Sequence, residues 1–480
     1  MRLSNSFARG ARITLTGQWI RFAVQLATTV LLARLLSPSE FGSYGMVIAV
    51  TGIALLLVDM GFSTATIQAQ VISSQQRANV FWINLAAGLV ASAILVFSAP
   101  LIAHFYGLPL LTPVVQVSAV AIVLQAITAQ FSAEASRQSL FGALALADVV
   151  AQVGGAGVAI ALAFGGFGVW SLVAQQLAVA TLTLVVVANG VRWRPGLPRR
   201  AKMRSLVGFG FNTLGVQAVN YASANVDSVA LGRVWGPATL GYYDRAYQLF
   251  KLPVTLLLSP LTRVVLPKLS SLQSNAEPYA RAVEQLQLVI AYVAGSVFLL
   301  ASVAAEPLVI TALGTTWAPS AGIFSILAVG GFFQTMGYVY YWVFLSKALT
   351  GLQLRYALVT RSLMVAMILI GVHFGAYGVA VAVAAGLAVN WLVLSVGPMR
   401  RTGVSVARLM RVVLRPLLCH VTAMAAVYLV VTLAGPGLPP WLTLILSGTA
   451  ALLVYGLLAL TVRAVRIDCL QIVRVLGRRS

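Results

Sequence analysis

Apolar runs of about twenty residues, each long enough as a helix to cross a hydrocarbon core of about 30 Å, follow one another from Thr14 to Val462 with short interruptions. Fourteen spanning helices are predicted, at 14–36, 42–66, 79–101, 113–133, 142–164, 168–190, 206–232, 246–267, 284–305, 318–345, 353–372, 375–397, 415–434 and 441–462. Backbone groups inside lipid must be satisfied within one segment or by a closed barrel, and runs of this length and continuity are helical. The expected fold is all-α and polytopic.

Polar positions inside these runs are not scattered. Thr14, Gln18, Arg21, Gln25 and Thr28 follow steps of four, three, four and three, which trace one face of the first helix. A shift of 199 residues gives Thr213, Gln217, Asn220, Ala224 and Asp227 on the seventh. Two such faces are expected to look into a hydrated cleft, or else to hydrogen-bond neighbouring helices. Other charges stand within spans: Asp59, Asp148, Lys251, Arg263 and Arg361. Arg21 and Asp59 fall at similar depth, so that an ion pair between them competes with ligand binding by Arg21. The excess of cations suits an anionic group such as pyrophosphate, which arginine meets with forked hydrogen bonds. Gln18, Arg21, Gln25, Gln217, Asn220, Arg263 and Arg361 are therefore the candidate substrate contacts, and Asp59 and Asp227 the candidates for coupling or lobe contact. Pro253, Pro260 and Pro267 recur at sevens along the eighth helix, remove backbone donors and mark a candidate hinge.

The shift of 199 has a literal counterpart. LARLLSPSEFGSY from Leu32 returns as LGRVWGPATLGYY from Leu231, with Arg34, Pro38, Gly42 and Tyr44 matched by Arg233, Pro237, Gly241 and Tyr243. FGGFGV from Phe164 returns as FGAYGV from Phe374. A six-helix block is thus duplicated, and an even number of helices gives both copies the same polarity, as in a parallel repeat. The expected organisation is an N-terminal lobe at 1–191, a basic linker at 192–205, a second six-helix lobe at 206–397, a basic loop at 398–414, an extra helix pair at 415–462 and a basic tail at 463–480.

With 60% hydrophobic and 9% charged residues among 480, the chain falls outside the range of water-soluble domains. Its net charge of +22 lies mainly in short juxtamembrane segments such as Arg192 to Arg204, Arg400 to Arg411 and Arg463 to Arg479. Positive charge marks cytoplasmic loops, so both termini are placed inside, with anionic membrane lipids as partners and no role for nucleic acid. Cys419 and Cys469 lack metal-ligand spacing, and neither a metal nor a cofactor is implied.

The blocks LLARLLSPSEFGSY, LGRVWGPATLGYYDRAYQLFKLP and LTRVVLPKLSSLQ resemble the polysaccharide-transporter branch of the multidrug, oligosaccharidyl-lipid and polysaccharide exporter superfamily, whose Wzx-type members are flippases. The resemblance implies two lobes about a central cavity, alternating access, and movement of an undecaprenyl-pyrophosphate-linked oligosaccharide to the outer leaflet of a bacterial inner membrane for lipopolysaccharide or exopolysaccharide synthesis. It also implies contact with the polysaccharide polymerase machinery. The extra helix pair is similar to that of the lipid II flippase branch. Two other classes compete: a drug or metabolite antiporter of the same fold, and a membrane glycosyltransferase or polymerase. The last needs carboxylates beside a substantial outer loop. Only Glu40, Asp244 and Glu306 stand there, with His104 and His373 single near helix ends.

Overall fold

The computed structural model describes residues 2–59, 66, 72–201, 203–434 and 437–477, and every regular element among them is helical. The chain runs through α1 (Arg2–Leu35), α2 (Pro38–Asp59), α3 (Ser74–Tyr106), α4 (Leu111–Arg137), α5 (Phe141–Phe164), α6 (Val169–Gly190) and α7 (Arg204–Pro253). A π-helical turn, Val254–Leu258, leads into α8 (Ser259–Leu272). Then come α9 (Ala276–Val303), α10 (Ala305–Leu313), α11 (Ala318–Ser346), α12 (Thr350–Gly371), α13 (Gly375–Val396), α14 (Val406–Ala434), α15 (Pro440–Thr461) and α16 (Arg463–Gly477).

Eleven continuous stretches of the described chain are long and apolar enough to cross a membrane. Two of them, Asn220–Leu272 and Thr350–Thr402, are 53 residues each. The second holds both α12 and α13, and the first is broken at Gly236, where φ 79° and ψ −177° end one helix before Pro237 starts the next. With α1, which carries too many polar residues to be counted as apolar, each of the fourteen expected spans has a helix. The ends are set by local chemistry. Ser73 and Gln76 form a reciprocal capping box at the start of α3, and Gly107 closes it in the left-handed conformation at φ 68°.

Two compact units divide the chain, residues 1–241 and 242–480. In the first, α3 packs on α4, α4 on α6 and α5 on α6, with α1 along α5 and α2 against α3 and α4. In the second, α9 packs on α11, α11 on α13 and α12 on α13. The pairings of α9, α11, α12 and α13 repeat those of α3, α4, α5 and α6, so for these helices the duplication in the sequence is a duplication of packing. The extra pair is fastened to this scheme by α14 along α9 and α15 along α14.

The expected tail is not a tail throughout: 463–477 is the helix α16, with Val465 and Asp468 buried and Ile467, Leu470 and Val473 exposed. The linker 192–205 begins at a packed aromatic cluster. Its Trp193 ring packs edge-on against Phe81 and Phe131, within a cluster that also holds Val187 and Val191.

Candidate functional site

The polar face of α1 stands open beside α5. Gly17 and Ala145 bring the two helices close, a Cβ on Gly17 lying 3.0 Å from that of Ala145. One turn further along, Arg21 Nη1 donates to Asp148 Oδ1 at 3.3 Å, with the two side chains 49% and 43% exposed. Gln18 and Gln25 are exposed on the same helix, whereas Thr28 turns inward and donates to the Val24 carbonyl at 2.7 Å. Among the described residues the partner of Arg21 is Asp148, because α1 lies along α5. The side chain of Asp59, like those of Thr14 and Thr213, lies outside the described residues.

On α7, Gln217 and Asn220 are exposed and Asp227 is buried, its Oδ1 accepting the Ser228 amide at 2.8 Å. Between them Tyr221 reaches across to α2, where its hydroxyl donates to the Ile48 carbonyl at 2.9 Å over the bare surface of Gly52.

A few turns along these two helices, the duplicated motif meets its own copy. A Cβ on Gly42 would stand 1.7 Å from the Pro237 carbonyl oxygen, and a Cβ on Gly241 would stand 1.9 Å from that of Pro38. Each glycine is the seat for the proline carbonyl of the other copy. No side chain fits there, and the obstacle is backbone, which no rotamer change relieves. The match of Pro38 and Gly42 to Pro237 and Gly241 was visible in the sequence; their reciprocal contact was not.

In the second unit, Arg263 on α8 and Arg361 on α12 are exposed, and the Lys251 ammonium lies 4.3 Å from the centre of the Tyr247 ring. The three prolines frame the π-helical turn. Pro253 ends α7, Pro260 is the second residue of α8 and Pro267 lies within it. Pro260 has no N–H to give to the preceding turn and its ring crowds that turn's carbonyl, which a wider turn accommodates.

Three clusters went unread in the sequence. Glu134 accepts from Arg77 Nη1 and from Gln138 Nε2, each at 2.7 Å, and is almost wholly buried. His420, fully buried, donates from Nε2 to the Ala291 carbonyl at 2.9 Å and so accepts at Nδ1 from the Tyr455 hydroxyl at 2.6 Å. Arg415 Nη1 donates to both oxygens of Asp468, at 2.8 and 2.9 Å, and Tyr292 donates to the same carboxylate at 3.1 Å. The last two clusters tie the extra helices to α9. The first falls on residues that look like ordinary interface charges in a single sequence.

A family model described as "Polysaccharide biosynthesis protein" matches residues 31–322. The succinoglycan biosynthesis transport protein ExoT of Rhizobium meliloti is 27% identical over 311 residues, 64% of this chain and 63% of its own length. The lipopolysaccharide biosynthesis protein WzxC of Escherichia coli is 23% identical over 383 residues, 79% of this chain and 78% of its own. Among solved structures, the lipid II flippase MurJ in an inward closed conformation superposes with a TM-score of 0.73 at 13% identity, over 92% of this chain and 98% of that one. At that identity the likeness is one of fold.

Proposed function

Since the chain belongs to the polysaccharide biosynthesis protein family, matched over residues 31–322, we propose that it is a flippase of the Wzx type. It moves a polyprenyl-pyrophosphate-linked oligosaccharide from the cytoplasmic to the outer leaflet of a bacterial inner membrane, with both termini inside, by alternating access and without catalysis. The relatives named for succinoglycan transport and lipopolysaccharide synthesis support surface polysaccharide as the destination.

The observation that carries this reading is the reciprocal seat of the duplicated motif. At this point two like helix starts touch through glycine and carbonyl backbone. Such a contact can part and re-form, as alternating access demands of one end of a transporter. Substrate recognition falls to the open polar faces: Gln18, Arg21 and Gln25 on α1, Gln217 and Asn220 on α7, with Arg263 and Arg361 as further cations. Asp227 and Asp59 serve coupling, and Pro253, Pro260 and Pro267 let the long helix bend.

Arg21 is the first group to meet pyrophosphate. Its bond to Asp148 is single, and an arriving pyrophosphate offers the guanidinium a forked pair in its place. Carrying about two negative charges outward releases roughly 4–5 kcal/mol per 100 mV of inside-negative potential, so the site needs only to ease entry.

Deleting the gene tests the reading. The expected result is loss of surface polysaccharide with accumulation of the lipid-linked repeat unit, restored by the intact chain. Normal polysaccharide together with lost efflux of a soluble compound would assign the chain to the antiporters of this fold instead.

A further inference from the structure

Residues 191–201 cross one end of the first unit without regular structure, yet nearly every residue that could fix them does. Trp193 is held by the rings of Phe81 and Phe131, with centroids 6.2 and 5.5 Å away. Arg194 Nη1 ties the turn to itself through the carbonyls of Ala188, Val191 and Trp193, at 3.0 to 3.1 Å. Trp82 Nε1 donates to the Gly196 carbonyl at 2.9 Å. Asn79 pairs with the backbone of Arg199 in both directions, donating to its carbonyl at 2.7 Å and accepting its amide at 3.0 Å. Asn79 and Trp82 are three apart on α3, and so are Arg199 and Gly196 on the strap, which therefore runs antiparallel to the helix along one of its faces.

All of these anchors hold the strap by its backbone or by Trp193 and Arg194. The side chains of Arg192, Leu197, Arg199 and Arg200 are left pointing out, and Leu197 is 74% exposed. From Arg192 to Arg204 there are six basic residues and no acidic one. A rigid backbone that displays arginines around a bare leucine has the composition of a membrane-surface element: cations for phosphate headgroups and an apolar tip for the acyl boundary beneath them.

The geometry points to a docking surface for anionic phospholipid headgroups, built by the strap 191–201 on the unit 1–241, with Leu197 as the inserted tip and Arg192, Arg199 and Arg200 as its headgroup contacts. Charge complementarity commits the surface to bilayer phospholipid. The arginines are strung along an extended run rather than converging, which fits a sheet of headgroups better than one pyrophosphate. The inference rests on the cytoplasmic placement of this loop, where the anionic leaflet lies, and not on the identity of the exported substrate. Because the strap is ordered by its own anchors, lipid pays no cost to order it.

The test uses the full chain with Cys419 and Cys469 replaced by Ser and Leu197→Cys carrying a spin label, in nanodiscs of phosphatidylcholine alone or with one third phosphatidylglycerol. The label should be shielded from an aqueous collisional relaxant, and more so with phosphatidylglycerol. Arg192→Gln, Arg199→Gln and Arg200→Gln together should weaken phosphatidylglycerol retention about 100-fold, at roughly fivefold per arginine. Among the described residues their side chains hold nothing else, so the melting midpoint in phosphatidylcholine should not move. Trp82→Phe, which keeps every charge but releases Gly196, should reduce the shielding by itself. A label equally open to water in both lipids, or a triple variant that keeps its phosphatidylglycerol, would overturn the proposal. So would displacement of phosphatidylglycerol by equimolar polyprenyl pyrophosphate, which would assign the surface to the substrate headgroup. None of these outcomes depends on export activity, so a failed flippase reading would be told apart from a failed docking surface.

Discussion

Arg21 and Asp148 meet at 3.3 Å with both side chains close to half exposed, and an ion pair so open contributes at most about 1 kcal/mol to stability. Removing either residue should therefore leave the fold intact, and their effects on transport should differ. Arg21→Ala should abolish polysaccharide export with normal protein in the membrane, and Arg21→Lys should retain part of it. Asp148→Asn frees the guanidinium and should keep export. If Asp148→Asn fails as completely as Arg21→Ala, the pair is structural and the anion contact must be sought at Arg263 or Arg361. The polar stripe holding Arg21 was legible because four-and-three spacing marks a helix face, but its partner was not. The contact with Asp148 requires knowing that α1 lies along α5, which a small-residue contact such as Gly17 on Ala145 decides in three dimensions. His420 escaped notice for a similar reason: its partners at Ala291 and Tyr455 are 129 and 35 residues away.

The helices were the most legible level, since twenty apolar residues in lipid have few other structures open to them. What the pattern did not disclose were the joins. α7 carries straight through Trp235 before the chain turns at Gly236, and 463–477 forms a helix although its arginines read as a charged tail. Two predictions belong here. Gly42→Ala or Gly241→Ala places a methyl group inside van der Waals contact of a backbone carbonyl, so the two helix starts must separate by more than 1 Å, roughly the shortfall from an ordinary carbon–oxygen contact. Export should fall at least tenfold, while Gly142→Ala, with nothing within 4 Å of its Cβ, should be silent. Equal export by all three variants would remove the reciprocal seat from the mechanism. For the extra pair, His420→Ala strands the Ala291 carbonyl and the Tyr455 hydroxyl at a cost of about 1–3 kcal/mol. A lowered melting midpoint, with earlier proteolysis between α14 and α15 than in the first unit, is the expected readout. An unchanged midpoint would mean that Arg415 and Asp468 suffice to hold the pair.

At the scale of the molecule, the duplication read from thirteen residues proved to be a duplication of packing, with α3, α4, α5 and α6 matched in their pairings by α9, α11, α12 and α13. Sequence carried that far because the repeated motif includes glycines and prolines whose places are set by backbone geometry and which few substitutions can replace. It did not carry to the strap at 191–201, where the decisive bonds run from Asn79 and Trp82 to main-chain atoms and leave no mark on the residues they receive. The central claim is transbilayer movement of a pyrophosphate-linked oligosaccharide, and it is tested most directly in proteoliposomes. The purified chain is reconstituted with a fluorescent polyprenyl-pyrophosphate oligosaccharide, and an impermeant glycosidase is added outside. Protein-free vesicles should lose only the outer-leaflet pool, vesicles with the chain should lose the whole pool under an imposed potential, and vesicles with Arg21→Ala should behave as if empty. An inner pool that stays protected in the presence of the intact chain, in vesicles that accumulate a soluble organic cation, would contradict the account.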